Sequence, residues 1–146
     1  MDKNRIEIDI KIPNQTRYLS LIGKIGEELA NGLDEYGGNR ITLAYYINLV
    51  LTESVINTIT HANARDPDKM VHLSIGIEQD ELVIRVFDEG EGFDINEVPT
   101  PDFEGLAEGG RGVFLIRSIM DTVQYQKRGD GNVLEMRKSL VKGTKY

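Results

Sequence analysis

Ile6, Ile8, Ile10 and Ile12 alternate with Arg5, Glu7, Asp9 and Lys11, and this two-residue period then gives way to a helical one. Alternation puts the four isoleucines on one face, so the segment predicts a half-buried β-strand, ended by Pro13 and Asn14. Tyr18, Leu21, Ile22, Ile25, Leu29 and Leu33 recur at helical spacing up to Gly37-Gly38 and predict a first helix buried along those residues. A second helix is expected over about 42–63. Leu43, Ile47, Val50, Leu51 and Val55 form its main apolar face, Leu49 and Ile56 a smaller one. The period returns to two in 71–78 and 82–88, joined by the short polar turn Gln79-Asp80 and therefore antiparallel. Residues 93–108, with Pro99 and Pro101, show no period and predict a loop of functional length. A short apolar helix over 113–120 and a closing hairpin, 122–127 and 133–138 around Gly129-Asp130-Gly131, complete the pattern. The order β-α-α-β-β-loop-α-β-β predicts an α+β fold. It is a two-layer sandwich of a mostly antiparallel sheet with three main helices on one face.

At 146 residues the chain fits a single domain spanning 1–146, long enough for one sizeable core. The apolar stretch around 41–59 is interrupted by Asn48, Thr52, Glu53 and Asn57, which excludes a membrane span. No signal-peptide pattern precedes the first strand, and zero cysteines exclude disulfides and thiolate metal sites, so a cytoplasmic location is expected. A formal charge of −7 argues against nucleic acid as a direct partner.

Glu53 and Asn57 are one helical turn apart, so both side chains can reach one point in space. Mg²⁺ takes few protein oxygens beside water and phosphate, and an asparagine carbonyl can be one of them. A carboxylate one turn away can serve as the base in phosphoryl transfer. Alone, this pair reads more readily as the solvated edge of an amphipathic helix, since the pattern is common by chance. Asp88, in Asp88-Glu-Gly-Glu-Gly92, ends a strand; there a carboxylate can accept from the exocyclic amine of adenine, with Gly90 and Gly92 allowing positive φ and close backbone approach. On its own that pattern reads more readily as a chain turn after a strand, and Glu89 and Glu91 are assigned to solvent. Gly109, Gly110, Arg111 and Gly112 feed a helix start, where exposed N–H groups and the helix dipole suit phosphate. Arg111 either adds a phosphate contact or points outward. His61 and His72 show no zinc spacing, no nucleophile elbow is present, and the glycines lack the Lys-Ser/Thr ending of a P-loop. The ordered trio reads as an ATP site.

Glu53-x-x-x-Asn57, Asp88-x-Gly-x-Gly92 and Gly110-x-Gly112 resemble the signature boxes of the Bergerat-type (GHKL) ATPases. The wording around them, including the run from Glu108 to Asp121, is most similar to the small anti-sigma-factor serine/threonine kinases of the RsbW/SpoIIAB type. The resemblance covers nearly the whole chain and implies the same helix-on-sheet fold. It implies Glu53 as general base, Asn57 as Mg²⁺ ligand, Asp88 as adenine reader and Gly90 and Gly92 as shapers of the base pocket. Gly110 and Gly112 would hold phosphates beneath a lid formed by 93–108, with any arginine contact to the γ-phosphate coming from Arg111. Glu108 stands where some members place an arginine. Asn132 stands where the family often has threonine, still offering a polar contact near the base.

The implied activity is that of an ATP- and Mg²⁺-dependent protein serine/threonine kinase acting as an anti-sigma factor in a partner-switching pathway. It would hold a sigma factor or similar regulatory client, phosphorylate a serine on a small antagonist protein, and form a homodimer through its first strand and helix. The alternative is a nucleotide-gated regulatory binding module with little or no kinase activity. A sensor histidine-kinase catalytic domain is the weaker reading, because neither His61 nor His72 lies on a phospho-accepting helical hairpin.

Overall fold

The computed structural model of the chain describes residues 5–33, 36–90 and 110–141, with the side chain of Arg111 outside the description. Strand β1 (Ile6–Pro13) leads through a 3₁₀ turn (Thr16–Tyr18) into helix α1 (Leu19–Asn31). Helix α2 (Arg40–Asn57) continues into a π-helical turn (Thr58–Ala62), followed by strands β2 (Met70–Glu78) and β3 (Glu81–Asp88). Helix α3 (Gly110–Ile119) precedes the hairpin β4 (Thr122–Arg128) and β5 (Gly131–Ser139). The sheet runs β1-β2-β3-β5-β4 with every neighbouring pair antiparallel, so the expected α+β sandwich is the observed one. The expected lid, Gly92, Glu91, Glu108, Gly109 and the last residues, 142–146, lie outside the described residues.

One face of the sheet carries the core. Leu73 and Ile75 of β2, Ile84 of β3 and Met136 of β5 bury against Ile22 of α1, Ile47 and Leu51 of α2, and Ile116 of α3. The main apolar face predicted for α2 is buried in full. Its start is set by Asn39, whose Oδ1 accepts from the amides of Ile41 (2.9 Å) and Thr42 (3.2 Å), an N-cap that begins the helix earlier than periodicity suggested.

Helix α1 keeps most of its predicted face, with Ile22 buried and Tyr18, Ile25, Leu29 and Leu33 packed against the core, but departs from it at Leu21 and at its glycines. Its buried residues are Ile22, Gly23, Gly26 and Ala30, while Leu21 is 55% exposed. The cause is the closeness of α1 to α2. A Cβ on Gly23 would lie 2.5 Å from Asn48 Oδ1, and one on Gly26 would lie 2.5 Å from Leu51 Cδ1. Small residues on α1 therefore form the groove that receives the larger ridge of α2. The isoleucine row of β1 is likewise uneven: Ile12 is buried, Ile8 and Ile10 are half-buried and Ile6 is exposed, so the row is covered only near Pro13.

At the far end of α3, the fully buried Lys138 of β5 donates from Nζ to Ile119 O at 3.4 Å. A cation there complements the negative end of the helix dipole and ties the helix to the sheet. The turn between β2 and β3 places both Gln79 (φ 53°) and Asp80 (φ 60°) in the left-handed region. That geometry matches the twist of the strands it joins, although neither residue is a glycine.

The opposite face of the sheet is polar and laced by ion pairs. Arg85 Nε meets Glu135 Oε2 at 2.8 Å, Arg137 Nε meets Glu135 Oε1 at 2.9 Å, and Arg137 Nη1 meets Glu81 Oε1 at 2.7 Å. Hydrogen bonding from Arg137 holds the Glu135 carboxyl below the ordinary glutamate value of 4.5, against a smaller opposing effect of burial. A carboxylate depressed in the folded state adds stability that is fully present above its unfolded value and is lost as pH falls through the folded one. Glu135→Gln should therefore lower stability by about 1 kcal/mol at neutral pH. It should also remove part of the decline below pH 4.5, as urea unfolding of both proteins across pH 3–7 would measure.

Candidate functional site

Helix α2 delivers Glu53 and Asn57 from successive turns at its C-terminal end. Asn57 is only 4% exposed, and its amide has no hydrogen-bond partner among the described residues. The glycine segment comes to this pair directly. A Cβ on Gly112 would lie 2.6 Å from Glu53 Oε2 and 3.5 Å from Asn57 Nδ2. The predicted turn before the third helix is in fact its first turn, since α3 begins at Gly110. Packing against Glu53 and Asn57 overrides the weak helix propensity of glycine there. The first amides of α3 have no intrahelical acceptors and carry the positive end of the dipole. One acid, one amide and one helix N-terminus thus share a small volume.

Asp88 lies at the end of β3, 5% exposed, on the face that carries the core. Its Oδ1 accepts from the Gly90 amide (3.0 Å) and from Asn132 Nδ2 (2.9 Å), and its Oδ2 accepts from the Tyr125 hydroxyl (2.5 Å). Asn132, directly opposite Asp88 in the β3–β5 register, also donates to Gly90 O at 3.1 Å. Two glycines are required here by contact. A Cβ on Gly90 would strike Ala62 O, and one on Gly131 would strike Asp88 O. Gly90 needs no positive φ: its role is close approach alone.

The contact between Gly90 and Ala62 joins the strand end to the π-helical turn that prolongs α2. That turn is closed by Asn63 N donating to Thr58 O at 2.8 Å, and such turns concentrate at functional sites. Asn63, fully buried, locks the junction. Its Oδ1 accepts from the Glu89 amide (3.0 Å), and its Nδ2 donates to Met70 O and Asn14 Oδ1 (both 3.1 Å). Asn14 in turn donates to Asp66 O at 3.0 Å. Tyr125 and Asn63 were not singled out from sequence, and Asn14 and Gly131 were read only as a strand end and a turn residue. Strand alternation places Val123 and Tyr125 inward and could have flagged the tyrosine; the two asparagines carry no local signal.

Glu53, Asn57 and Gly112 are therefore brought together, as are Asp88, Gly90 and Asn132, and the π-helical turn links the two groups. Gly110 opens α3; Gly92 is outside the description, as is the side chain of Arg111. Glu89 is exposed as expected. His61 is exposed, and His72 pairs with Asp9 on the open face of the sheet, away from this site. No group of three or more His, Cys, Asp or Glu side chains that could hold a metal occurs among the described residues. The donor set at Asn57 instead fits a cation such as Mg²⁺ that arrives with phosphate oxygens and needs few protein ligands.

The family described as the histidine kinase-like ATPase domain matches residues 13–138. The chain belongs to this family. Membership implies ATP binding by the domain. An anti-sigma F factor from Heyndrickxia coagulans is 30% identical over 145 residues, covering 95% of this chain and 93% of the relative. The serine-protein kinase RsbW of Bacillus subtilis (strain 168) is 27% identical over 134 residues, covering 86% and 81%. These similarities place the chain on the RsbW/SpoIIAB-like branch. Among solved structures, the catalytic domain of histidine kinase ThkA superposes with a TM-score of 0.56 at 12% identity, covering 92% of this chain and 99% of that one. The histidine kinase domain of Erythrobacter litoralis EL346 gives 0.52 at 20% identity, covering 88% of this chain and 62% of that one. These two likenesses concern the fold. No helix of the described residues is long and apolar enough to cross a membrane.

Gly112→Ala separates packing from chemistry. Alanine favours the helix by up to about 1 kcal/mol, so the melting temperature should hold or rise. The added Cβ displaces the flexible end of Glu53, and ATP turnover should fall at least about tenfold. Thermal melts and steady-state turnover on the two proteins would check both halves.

Proposed function

We propose that this protein is an ATP-dependent serine/threonine protein kinase that acts as an anti-sigma factor in a partner-switching pathway. It phosphorylates a serine on a small antagonist protein. The observation that carries the reading is the seating of Gly112, in the first turn of α3, against Glu53 and Asn57. In the proposed roles, a base, a cation ligand and phosphate-binding amides would then lie within reach of one phosphoryl group. The relatives named serine-protein kinase RsbW and anti-sigma F factor support it.

Each residue then has a defined task. The Glu53 carboxylate takes the proton of the antagonist's serine hydroxyl as that oxygen forms its bond to the γ-phosphorus and the bond to the leaving ADP oxygen breaks. Asn57 is the side chain that would hold Mg²⁺, which when bound neutralises charge on the phosphate oxygens. The α3 amides from Gly110 onward, with Gly112 and the Arg111 side chain, receive the phosphate chain. Asp88 accepts from the exocyclic amine of adenine, with Asn132 fixing its carboxylate and Gly90 and Gly92 shaping the space beside it. Phosphorylation ejects the antagonist because a dianion in a fitted interface repels and desolvates poorly. The client freed or held in this exchange is a sigma factor or similar regulator.

The chain works as one domain over 1–146 in the cytoplasm and pairs as a homodimer. The open edge of β1 and the neighbouring α1 are the surface for that pairing, since β1 ends the sheet. The charge of −7 disfavours direct binding to nucleic acid or to an anionic membrane.

Transfer of label from γ-labelled ATP to a cognate antagonist should proceed with the wild type. It should drop by about a hundredfold or more in Glu53→Ala while ATP affinity holds. Wild-type protein that binds ATP tightly and transfers nothing would instead be a nucleotide-gated binding module. Asn57→Ala should weaken only the Mg²⁺-dependent part of nucleotide affinity, by about tenfold, in calorimetric titrations with and without the metal.

A further inference from the structure

Asp88 is supplied with three hydrogen-bond donors before any nucleotide arrives. A carboxylate offers about four acceptor positions, two on each oxygen. Gly90 N and Asn132 Nδ2 fill both positions of Oδ1, and the Tyr125 hydroxyl takes one on Oδ2. Among the described residues, that leaves a single acceptor position, on Oδ2.

The tyrosine reaches that oxygen from a distant strand. Tyr125 stands opposite Leu134 of β5, which stands opposite Val86 of β3. Its hydroxyl therefore crosses β5 and advances one row to meet Asp88. Its ring is half-buried and packs against the core, so the hydroxyl is delivered by a fixed side chain and not by a mobile one.

We infer that Tyr125 is a specificity-determining residue of the nucleotide site: by holding Asp88 Oδ2 with one open acceptor position, it restricts the base to purines with a donor at C6. The inference rests on the reading of Asp88 as the base contact. A 6-amino group donates into the open position. A 6-oxo group presents a second acceptor to a carboxylate and needs a bridging water that donates to both. The tyrosine hydroxyl takes one of the two positions on Oδ2 and so leaves such a water less room beside that oxygen. Without it, Oδ2 gains room for a water, and discrimination between 6-amino and 6-oxo purines relaxes.

The test is the affinity of the full chain for ATP, inosine triphosphate (6-oxo) and purine riboside triphosphate (no 6-substituent), by calorimetry with Mg²⁺. The wild type should bind ATP about tenfold more tightly than purine riboside triphosphate, and inosine triphosphate more weakly still. In Tyr125→Phe the preference for ATP over inosine triphosphate should shrink by about tenfold, while affinity for purine riboside triphosphate stays within about threefold of wild type. Tyr125→Leu, which keeps an apolar side chain against the core, should relax selectivity in the same way. An equal loss for all three nucleotides would show a packing role only, and an unchanged preference would show no role; either overturns the inference. Asp88→Asn separates this outcome from the parent reading. If it leaves the preference intact, Asp88 is not the base contact. If it abolishes the preference while the Tyr125 variants retain it, only the role of Tyr125 fails.

Discussion

At Gly112 the first turn of α3 comes so close to α2 that any side chain would press on Glu53, and at Gly90 the end of β3 meets the carbonyl of Ala62. Both contacts fall on the C-terminal end of α2 and its π-helical extension. Two segments far apart in the chain are thereby seated on one helix end, at Gly112 against the side chains of Glu53 and Asn57 and at Gly90 against the backbone of Ala62. A larger residue at Gly90 would push the strand end off the Ala62 carbonyl, whereas at Gly112 it would displace the Glu53 side chain. The acid and amide of α2 are presented by helix geometry, but their surroundings are made by these approaches.

Polar groups buried at the same end explain why the junction is stiff. Asn63, Asn14, Asp88 and Asn132 are all buried, and a buried polar group without partners costs about 1–3 kcal/mol. Asn63 spends its side chain on Glu89, Met70 and Asn14, which ties the bend after β3, the start of β2 and the residue after β1 to the π-helical turn. Asp88 is held by Gly90, Asn132 and Tyr125. Asn57 is the contrast: buried beside them, with no partner among the described residues, it has donor and acceptor capacity in reserve. A rigid frame around one uncommitted amide suits a site that completes its bonding only when phosphate and cation are present.

The helical layer reached the same end by a route that periodicity did not reveal. Hydrophobic spacing picked out Leu21 together with Ile22, Ile25 and Leu29; the last three do join or pack against the core, but Leu21 is exposed and Gly23 and Gly26 form the closest contact with α2. A moment drawn through large apolar residues overlooks glycine, which adds no hydrophobic surface yet sets how near two helix axes can come. The turn at Gln79-Asp80 gives a parallel case. Its position follows from two short alternating runs; its left-handed conformation at two non-glycine residues follows from the twist of the strands it must join.

Local pattern was enough to determine the element order, the antiparallel sandwich and the buried face of α2, because alternation and helical spacing report which side of each element faces the core. It also marked Glu53 with Asn57, Asp88 with Gly90, and Gly110 with Gly112, since motif spacing is a property of the chain alone. Only the tertiary structure decided which of these meet, through strand register and helix approach. Register carries Tyr125 across β5 to Asp88 and sets Asn132 opposite it; the π-helical turn carries Asn63 to the amide of Glu89. Such contacts join residues 26 to 44 positions apart, and no local period encodes them. They arise because buried polar atoms must find partners wherever the packed backbone brings them.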